Sequence, residues 1–191
     1  MLCNHINYTP IFVCPCVSLG CPCGNLGNPR KSCRCPAAQI AKYRSKLSGP
    51  LLDRIDLHVE VPPVPFADLS DNRPSGESSQ IIRNRIQSVR QVQAERYFEY
   101  SSPQGERMKV RGNYTNASLS GRQIKEHCLL TPEADNLLKA AMERFSLSAR
   151  SYDKLKKVGR TIADLDKSEK IEVEHISEAI QYRALDRKVW V

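Results

Sequence analysis

Cysteine placement constrains this chain more than any other feature. Seven of its eight cysteines fall within the first 35 of 191 residues, and only Cys128 lies elsewhere. The stretch CPCVSLGCPCGNLG, Cys14 to Gly27, contains two near-copies of one unit, and a further pair follows at Cys33 and Cys35. A disulfide framework would spread its cysteines through a small secreted domain. The most apolar N-terminal stretch, YTPIFVCPCV, is short, interrupted by proline and not preceded by a Lys/Arg cluster, so it does not read as a signal peptide. Clustered cysteines without such a signal point to a reducing, cytoplasmic compartment and to metal or thiol chemistry.

Cys21, Cys23, Cys33 and Cys35 give the spacing C-x-C-x9-C-x-C. Four thiolates in two close pairs, with Gly24 and Gly27 permitting tight turns, suit tetrahedral Zn²⁺. The gap within each pair is tighter than the usual C-x2–4-C, so free thiols in a loop and a redox switch stay open beside zinc. Cys14 and Cys16 compete as the first pair. They fit less well, because only the second copy precedes the longer GNLGNPRKSC turn.

Hydrophobic residues make up 40% and charged residues 26%, as in a soluble globular protein. No apolar run approaches the ~18 residues of a membrane helix, so no membrane span is expected. The net charge is +8, a balance that favours polyanions such as nucleic acid. The excess is uneven. Arg83 to Arg111 holds seven basic residues against three acidic, whereas Ser120 to the end holds fourteen against twelve.

Helical patterns dominate the rest. Pro36 to Leu47 reads as a helix with Pro in its first turn and Ile40, Tyr43 and Leu47 on one face. DLHVEV, Asp56 to Val61, alternates apolar and polar residues and predicts a strand. PPVPFADLSDNRPSGESS is a proline-rich linker. SQIIRNRIQSVRQVQAERYF predicts a long basic amphipathic helix, with Ile82, Ile86, Val89 and Val92 or Gln93 at helical spacing. A loop broken by Pro and Gly follows. Then come LSGRQIKEHC, TPEADNLLKAAMERF with a Thr N-cap, SARSYDKLKKVGRTIADLDK with a Ser N-cap, and EHISEAIQYRALDR. The third is expected to bury Tyr152, Leu155, Val158, Ile162 and Leu165, and the fourth Ile176, Ala179 and Ile180. Four helices on short loops make a small bundle. Cys128 reads as a core thiol, His58 as a packed or surface histidine, and Trp190 and Val191 as a tail.

No G-x-x-x-x-G-K-[ST] phosphate loop occurs in the 191 residues. No apolar run ends in an Asp-Glu pair that could hold Mg²⁺, and no Ser-His-Asp arrangement stands out among four His.

The segment CPCGNLGNPRKSCRCPAAQIAKYRSKLSGPLLDRIDLHVEV closely resembles the magnesium-chelatase-like AAA+ ATPases of bacteria, the ComM-type competence-associated family. The resemblance resumes at NASLSGRQIKEHCLLTPEADNLLKAAMERFSLSARSYDKLKKVGRTIADLDKSEKIEVEHISEAIQYRALDR. It implies a C-terminal part of such an ATPase, mainly α. On that reading 21–61 is the end of the α/β core, with a short strand, the Cys-rich loop and an arginine-finger segment. Residues 62–118 are linker, basic helix and loop, 119–191 are the helical lid, and 1–20 are a divergent stretch.

The resemblance also implies roles. Arg54 in GPLLDRID matches the arginine finger, which reaches the γ-phosphate held by a neighbouring subunit; the alternative is an ion pair with Asp53 or Asp56. Arg150 in LSARSYDKL matches the second sensor arginine, which contacts nucleotide phosphates. The alternative is a solvated arginine at a helix N-terminus, where a cation is mildly unfavourable. In the family a segment like MNPCPCG carries the first sensor asparagine; here Leu19 stands in its place. With no phosphate loop, the expectation is a piece of a split or truncated ATPase, inactive alone. It would use ATP and Mg²⁺ only beside the missing part, with other AAA+ subunits in a ring as partners and DNA remodelling as the task.

Arg83, Arg85, Arg90, Arg96, Arg107, Lys109 and Arg111 offer a phosphate-backbone surface. Tyr97, Phe98, Tyr100 and Tyr114 are interleaved as possible stacking platforms. A solvated helix face with a few core aromatics is the plainer alternative. A standalone, zinc-stapled, basic nucleic-acid-binding module is the rival reading from another class, and a poorly folding pseudogene product is the third.

Overall fold

A computed structural model describes residues 21–27, 31–46, 53–59, 64, 76–100 and 115–183. The chain divides into two compact units, Met1–Ser48 and Gly49–Val191. The described residues are mainly helical. They contain no β-strand, only one isolated parallel bridge between Leu130 and Ile171. No helix among them is long and apolar enough to cross a membrane.

In the first unit, α1 (Ala37–Arg44) starts directly after Pro36 and buries none of its residues. Ile40 and Tyr43 are half-covered. Leu47 lies outside the described residues.

The described residues of the second unit form a bundle of five helices: α2 (Ser79–Tyr100), α3 (Gly121–His127), α4 (Pro132–Phe145), α5 (Ala149–Leu165) and α6 (Val173–Gln181). The starts of α3 to α6 each have a local chemical cause. The Thr131 hydroxyl accepts the Ala134 N–H at 3.3 Å, with Pro132 at the first position of α4, and the Ser148 hydroxyl accepts the Ser151 N–H at 3.2 Å. These are the N-caps foreseen from sequence, each satisfying an orphan donor of the first turn. Ser120 N–H donates to Gln123 Oε1 at 2.8 Å ahead of α3. At α6 the Glu172 N–H donates to Nδ1 of the buried His175 at 2.9 Å, while His175 Nε2 lies 3.2 Å from Asp166.

Helix α5 is the centre of the bundle and packs against α2, α3 and α6, with α6 also packing on α4. Leu138, Leu155, Ile162, Ile171, Ile176 and Cys128 form the core. Cys128 is fully buried, and burial pushes its thiol up to about 11. Gly159 sits at the close α5–α6 approach: a Cβ there would lie 2.9 Å from Ile176 Cδ1 and 3.3 Å from Ile171 Cγ2, so those side chains would have to shift. Leu165, expected inside, is exposed instead.

Two elements depart from the sequence expectation. Asp56–Val59 forms no strand; Leu57 and Val59 stay exposed, and the His58 N–H donates to the Tyr182 carbonyl beyond α6. Alternation supplies a face for a strand, but a strand also needs a neighbour for its ladder, and the described residues hold none. In α2 only the C-terminal part docks, through Val89, Gln93 and Tyr97. Ile81, Ile82 and Ile86 remain 53%, 41% and 46% exposed. The helical period is present, but among the described residues only the part from Val89 onward meets another element.

Behind α2 lies a buried polar hub. Asp164, wholly covered, accepts from Arg96 at 2.6 and 3.1 Å, Gln93 at 3.2 Å, Asn116 Nδ2 at 2.9 Å and Arg160 Nε at 3.0 Å. Tyr97 donates its hydroxyl to Asn116 Oδ1, and Arg160 also donates to the Ser168 and Glu169 carbonyls at 2.5 and 2.6 Å. Burial alone would raise the Asp164 carboxyl. The hydrogen bonds from Arg96 and Asn116 and the charges of Arg160 and Arg96 outweigh that and hold it below the usual range.

Candidate functional site

The resemblance singled out two arginines, and the bundle ties their segments together. Arg54 sits in an exposed turn at 53–54, and Arg150 is the exposed second residue of α5. Between them stands Asp53. Its Oδ1 accepts from Ser148 Oγ at 2.9 Å and Ser151 Oγ at 2.8 Å, the cap hydroxyl of α5 and a hydroxyl in its first turn. Arg183 Nη2 lies 3.7 Å from the same oxygen. Lys154 Nζ donates to the Asp53 carbonyl at 2.9 Å and pairs with Asp56 at 2.6 Å, while Arg183 Nη1 donates to the Ile55 carbonyl at 3.2 Å. The turn is thus laced to the start of α5 and the end of α6.

A carboxylate at a helix N-terminus also meets the positive end of the helix dipole. Burial opposes ionisation of Asp53, but the hydrogen bonds from Ser151 and Ser148, then the charges of Arg183 and Arg150, bring its carboxyl below the usual range. Sequence reasoning treated Asp53 and Asp56 only as rival partners for Arg54. Here Asp53 is engaged by the α5 hydroxyls and Asp56 by Lys154. The Asp53 charge also explains how Arg150 is tolerated against the dipole of its own helix.

The cysteine quartet assembles in the first unit. Sγ of Cys21 lies 3.2 Å from Cys23 and 3.4 Å from Cys33, and Cys23 lies 3.7 Å from Cys33. With Cys35 the four sulfurs all lie within 4.8 Å of one another. None is bonded to another. Gly24 and Gly27 take left-handed φ values of 73° and 80°. The Gly24 N–H closes a turn onto the Cys21 carbonyl at 3.0 Å, and the Cys35 N–H approaches the Cys33 sulfur at 3.5 Å. Burial resists ionisation of Cys21, but the Cys23 and Cys33 thiols and the Leu26 and Asn25 N–H groups bring it down to about 6. In Cys33 the Cys35 N–H favours the thiolate, yet burial and the crowd of Cys21, Cys23 and Cys35 push it up to about 12. Cys14, Cys16 and Leu19 lie outside the described residues.

The basic stretch divides. Arg83 and Arg90 are exposed on α2, and Arg85 is exposed but paired with Glu77. Arg96 turns inward to Asp164, and Tyr97 is buried against His127 in an edge-to-face contact with centroids 5.1 Å apart. Those two side chains belong to the core rather than to a nucleic-acid surface. Arg107, Lys109, Arg111 and Tyr114 lie outside the described residues, as do the side chains of Phe98 and Tyr100 and the tail residues Trp190 and Val191.

Comparison with known proteins extends the picture. Residues 76–183 match the family profile described as magnesium chelatase, subunit ChlI C-terminal, and residues 4–69 match magnesium chelatase, subunit ChlI. The second match reaches further toward the N-terminus than Leu19, near which the motif resemblance begins. YifB of Escherichia coli K12 is 38% identical over 154 residues, covering 81% of this chain and 28% of the relative. YifB of Salmonella typhimurium LT2 is 36% identical over the same length and shares. The competence protein ComM of Haemophilus influenzae Rd is 36% identical over 149 residues, 78% of this chain and 26% of its own length. The chain therefore spans little more than a quarter of the relatives it matches.

Proposed function

This chain belongs to the magnesium chelatase subunit ChlI family, and we propose that it is the C-terminal part of a ring-forming AAA+ ATPase that remodels DNA. In this reading Arg54 is the arginine finger and Arg150 the lid sensor. They act on ATP and Mg²⁺ held by a phosphate loop and an acidic pair that these 191 residues do not contain. Zn²⁺ belongs to the reading as a structural ion, and the setting is cytoplasmic. The observation that carries it is the joint anchoring of both arginine segments on Asp53. A guanidinium stabilises phosphoryl transfer only when held in place, and Asp53 ties the finger turn to the lid helix while leaving Arg54 and Arg150 exposed.

The test is reconstitution. The chain alone should show no ATP turnover. Mixing it with a family polypeptide that carries a phosphate loop and an Asp-Glu pair should produce turnover, and Arg54→Ala should lower it about a thousandfold. Turnover by the chain alone that survives rigorous purification would refute this account, as would an Arg54→Ala mixture of unchanged activity.

The DNA part of the reading rests on α2, on which Arg83, Arg85 and Arg90 are exposed. Binding through phosphates should weaken steeply with salt. Arg83→Ala with Arg85→Ala should flatten the log–log salt slope by up to about 2. No binding to DNA even at low salt would leave α2 a solvated helix face.

A further inference from the structure

We infer that Cys21, Cys23, Cys33 and Cys35 hold one Zn²⁺ in a closed tetrathiolate centre, and that this ion takes the place of a hydrophobic core in the first unit. This deepens the zinc assignment above and is independent of the nucleotide chemistry. Three observations converge on it.

The first is geometry. A tetrahedral ion with Zn–S bonds of about 2.3 Å sets its sulfurs about 3.8 Å apart. The separations here, 3.2 to 3.7 Å with all four inside 4.8 Å, need shifts of only a few tenths of an ångström to about one to match. They are far beyond the ~2.05 Å of a disulfide, so the loop presents thiols rather than cystines. The left-handed glycines and the N–H groups turned onto sulfur wrap the backbone around the same point.

The second is donor chemistry. The first acidic residue of the chain is Asp53, so Met1 to Leu52 contains no carboxylate. A hard cation such as Mg²⁺ or Ca²⁺ finds no anionic oxygen there, whereas four thiolates select a borderline-soft ion. Cysteine ligates as the thiolate, so the thiol protons leave to solvent as the ion binds. The six Lys and Arg of this stretch offset the two net negative charges of the resulting centre.

The third is energetic. Helix α1 buries nothing, and Cys21 is the one buried apolar residue among the described residues of this unit. The described part of this unit, 21–27 and 31–46, cannot be held by so little burial and needs a staple. Four protein ligands leave no open position, so the ion is structural rather than catalytic.

The test uses the full chain, purified under reducing, anaerobic conditions from medium containing both zinc and iron. Metal analysis should give one Zn²⁺ per chain, lost in Cys33→Ser with Cys35→Ser and kept in Cys14→Ser with Cys16→Ser and in Cys128→Ser. Removing the metal should speed tryptic cleavage after Lys31 and Arg34 about tenfold or more, while the circular dichroism of the helical unit persists. Cobalt added to the metal-free chain should give the intense thiolate charge-transfer absorption of a tetrahedral site. No metal in the reduced chain, iron in place of zinc, or loss of metal in the Cys14/Cys16 variant would each overturn the assignment. Unchanged proteolysis after metal removal would overturn the stapling role.

Discussion

Asp164→Ala should lower the stability of the helical unit by about 3–5 kcal/mol, read as a fall in the urea midpoint with little change in slope. The size follows from what the substitution strands. Arg160 is 1% exposed and Arg96 is mostly covered, and both guanidinium groups depend on this one carboxylate. Asn116 and Gln93 would lose an acceptor in the same step. Removing one member of a buried ion cluster leaves uncompensated charge, which costs far more than the intact cluster contributes relative to an apolar pair. Asp164→Asn should recover part of the hydrogen bonding and little of the charge compensation, so it should fall closer to Ala than to the native chain. Because the carboxyl is held below its ordinary range in the folded state, its stabilisation is complete above the unfolded value near 4 and disappears as pH falls through the folded one. The native chain should therefore lose stability below about pH 4, and Asp164→Ala should lose less over that window. Asp53 titrates with the same sign, so the acid dependence should flatten without vanishing. A loss under about 1 kcal/mol would mean that water or another anion already serves these arginines.

The same hub marks the limit of what the residues alone disclose. The ends of α4 and α5 were legible because capping is local: Thr131 and Ser148 meet their N–H partners three residues on. The cysteine quartet was legible for the same reason, its four thiols lying within 15 residues with glycines between. Arg96 was not. Its partner is 68 residues away, and nothing near Arg96 distinguishes an inward arginine from the outward Arg83 or Arg90 on the same helix. A clue did exist at the other end: Arg160 and Asp164 interrupt a stripe that also contains Leu155, Ile162 and Ala163, and charges in a core-facing stripe are there because they find each other. The short strand failed differently. The Leu57–Val59 alternation is real, but pairing depends on residues elsewhere, so pattern alone overstates it. In α2 the apolar period runs the whole helix, while Val89, Gln93, Arg96 and Tyr97, which meet the bundle, all lie from its middle onward. Periodicity tells which face would be buried and is silent on how far along the helix a partner extends.

Asp53→Ala should release the turn that carries Arg54 while leaving the bundle folded. Trypsin, which cuts after arginine, reads this directly: cleavage after Arg54 should accelerate about 30-fold. Asp53 receives two hydroxyl hydrogen bonds and sits near the Arg183 charge. Bonds to a charged acceptor are worth about 1.5–3 kcal/mol each when buried. The side chain is partly exposed, so screening brings the sum nearer 2 kcal/mol, and that is about a 30-fold change in the open population. The Lys154 bond to the Asp53 carbonyl and the Arg183 bond to the Ile55 carbonyl survive the substitution, which keeps the loss local. The thermal midpoint of the bundle should accordingly fall by only a few degrees, in contrast to Asp164→Ala. Ser148→Ala should combine a weaker release with partial loss of the α5 cap, about 1 kcal/mol, because its hydroxyl both accepts the Ser151 N–H and donates to Asp53. If Arg54 acts as the finger only when this turn is fixed, Asp53→Ala should also depress turnover in the reconstituted mixture without touching the guanidinium. Full turnover together with rapid cleavage after Arg54 would separate the anchor from the chemistry. Unaltered cleavage would show that Lys154 and Arg183 alone hold the segment.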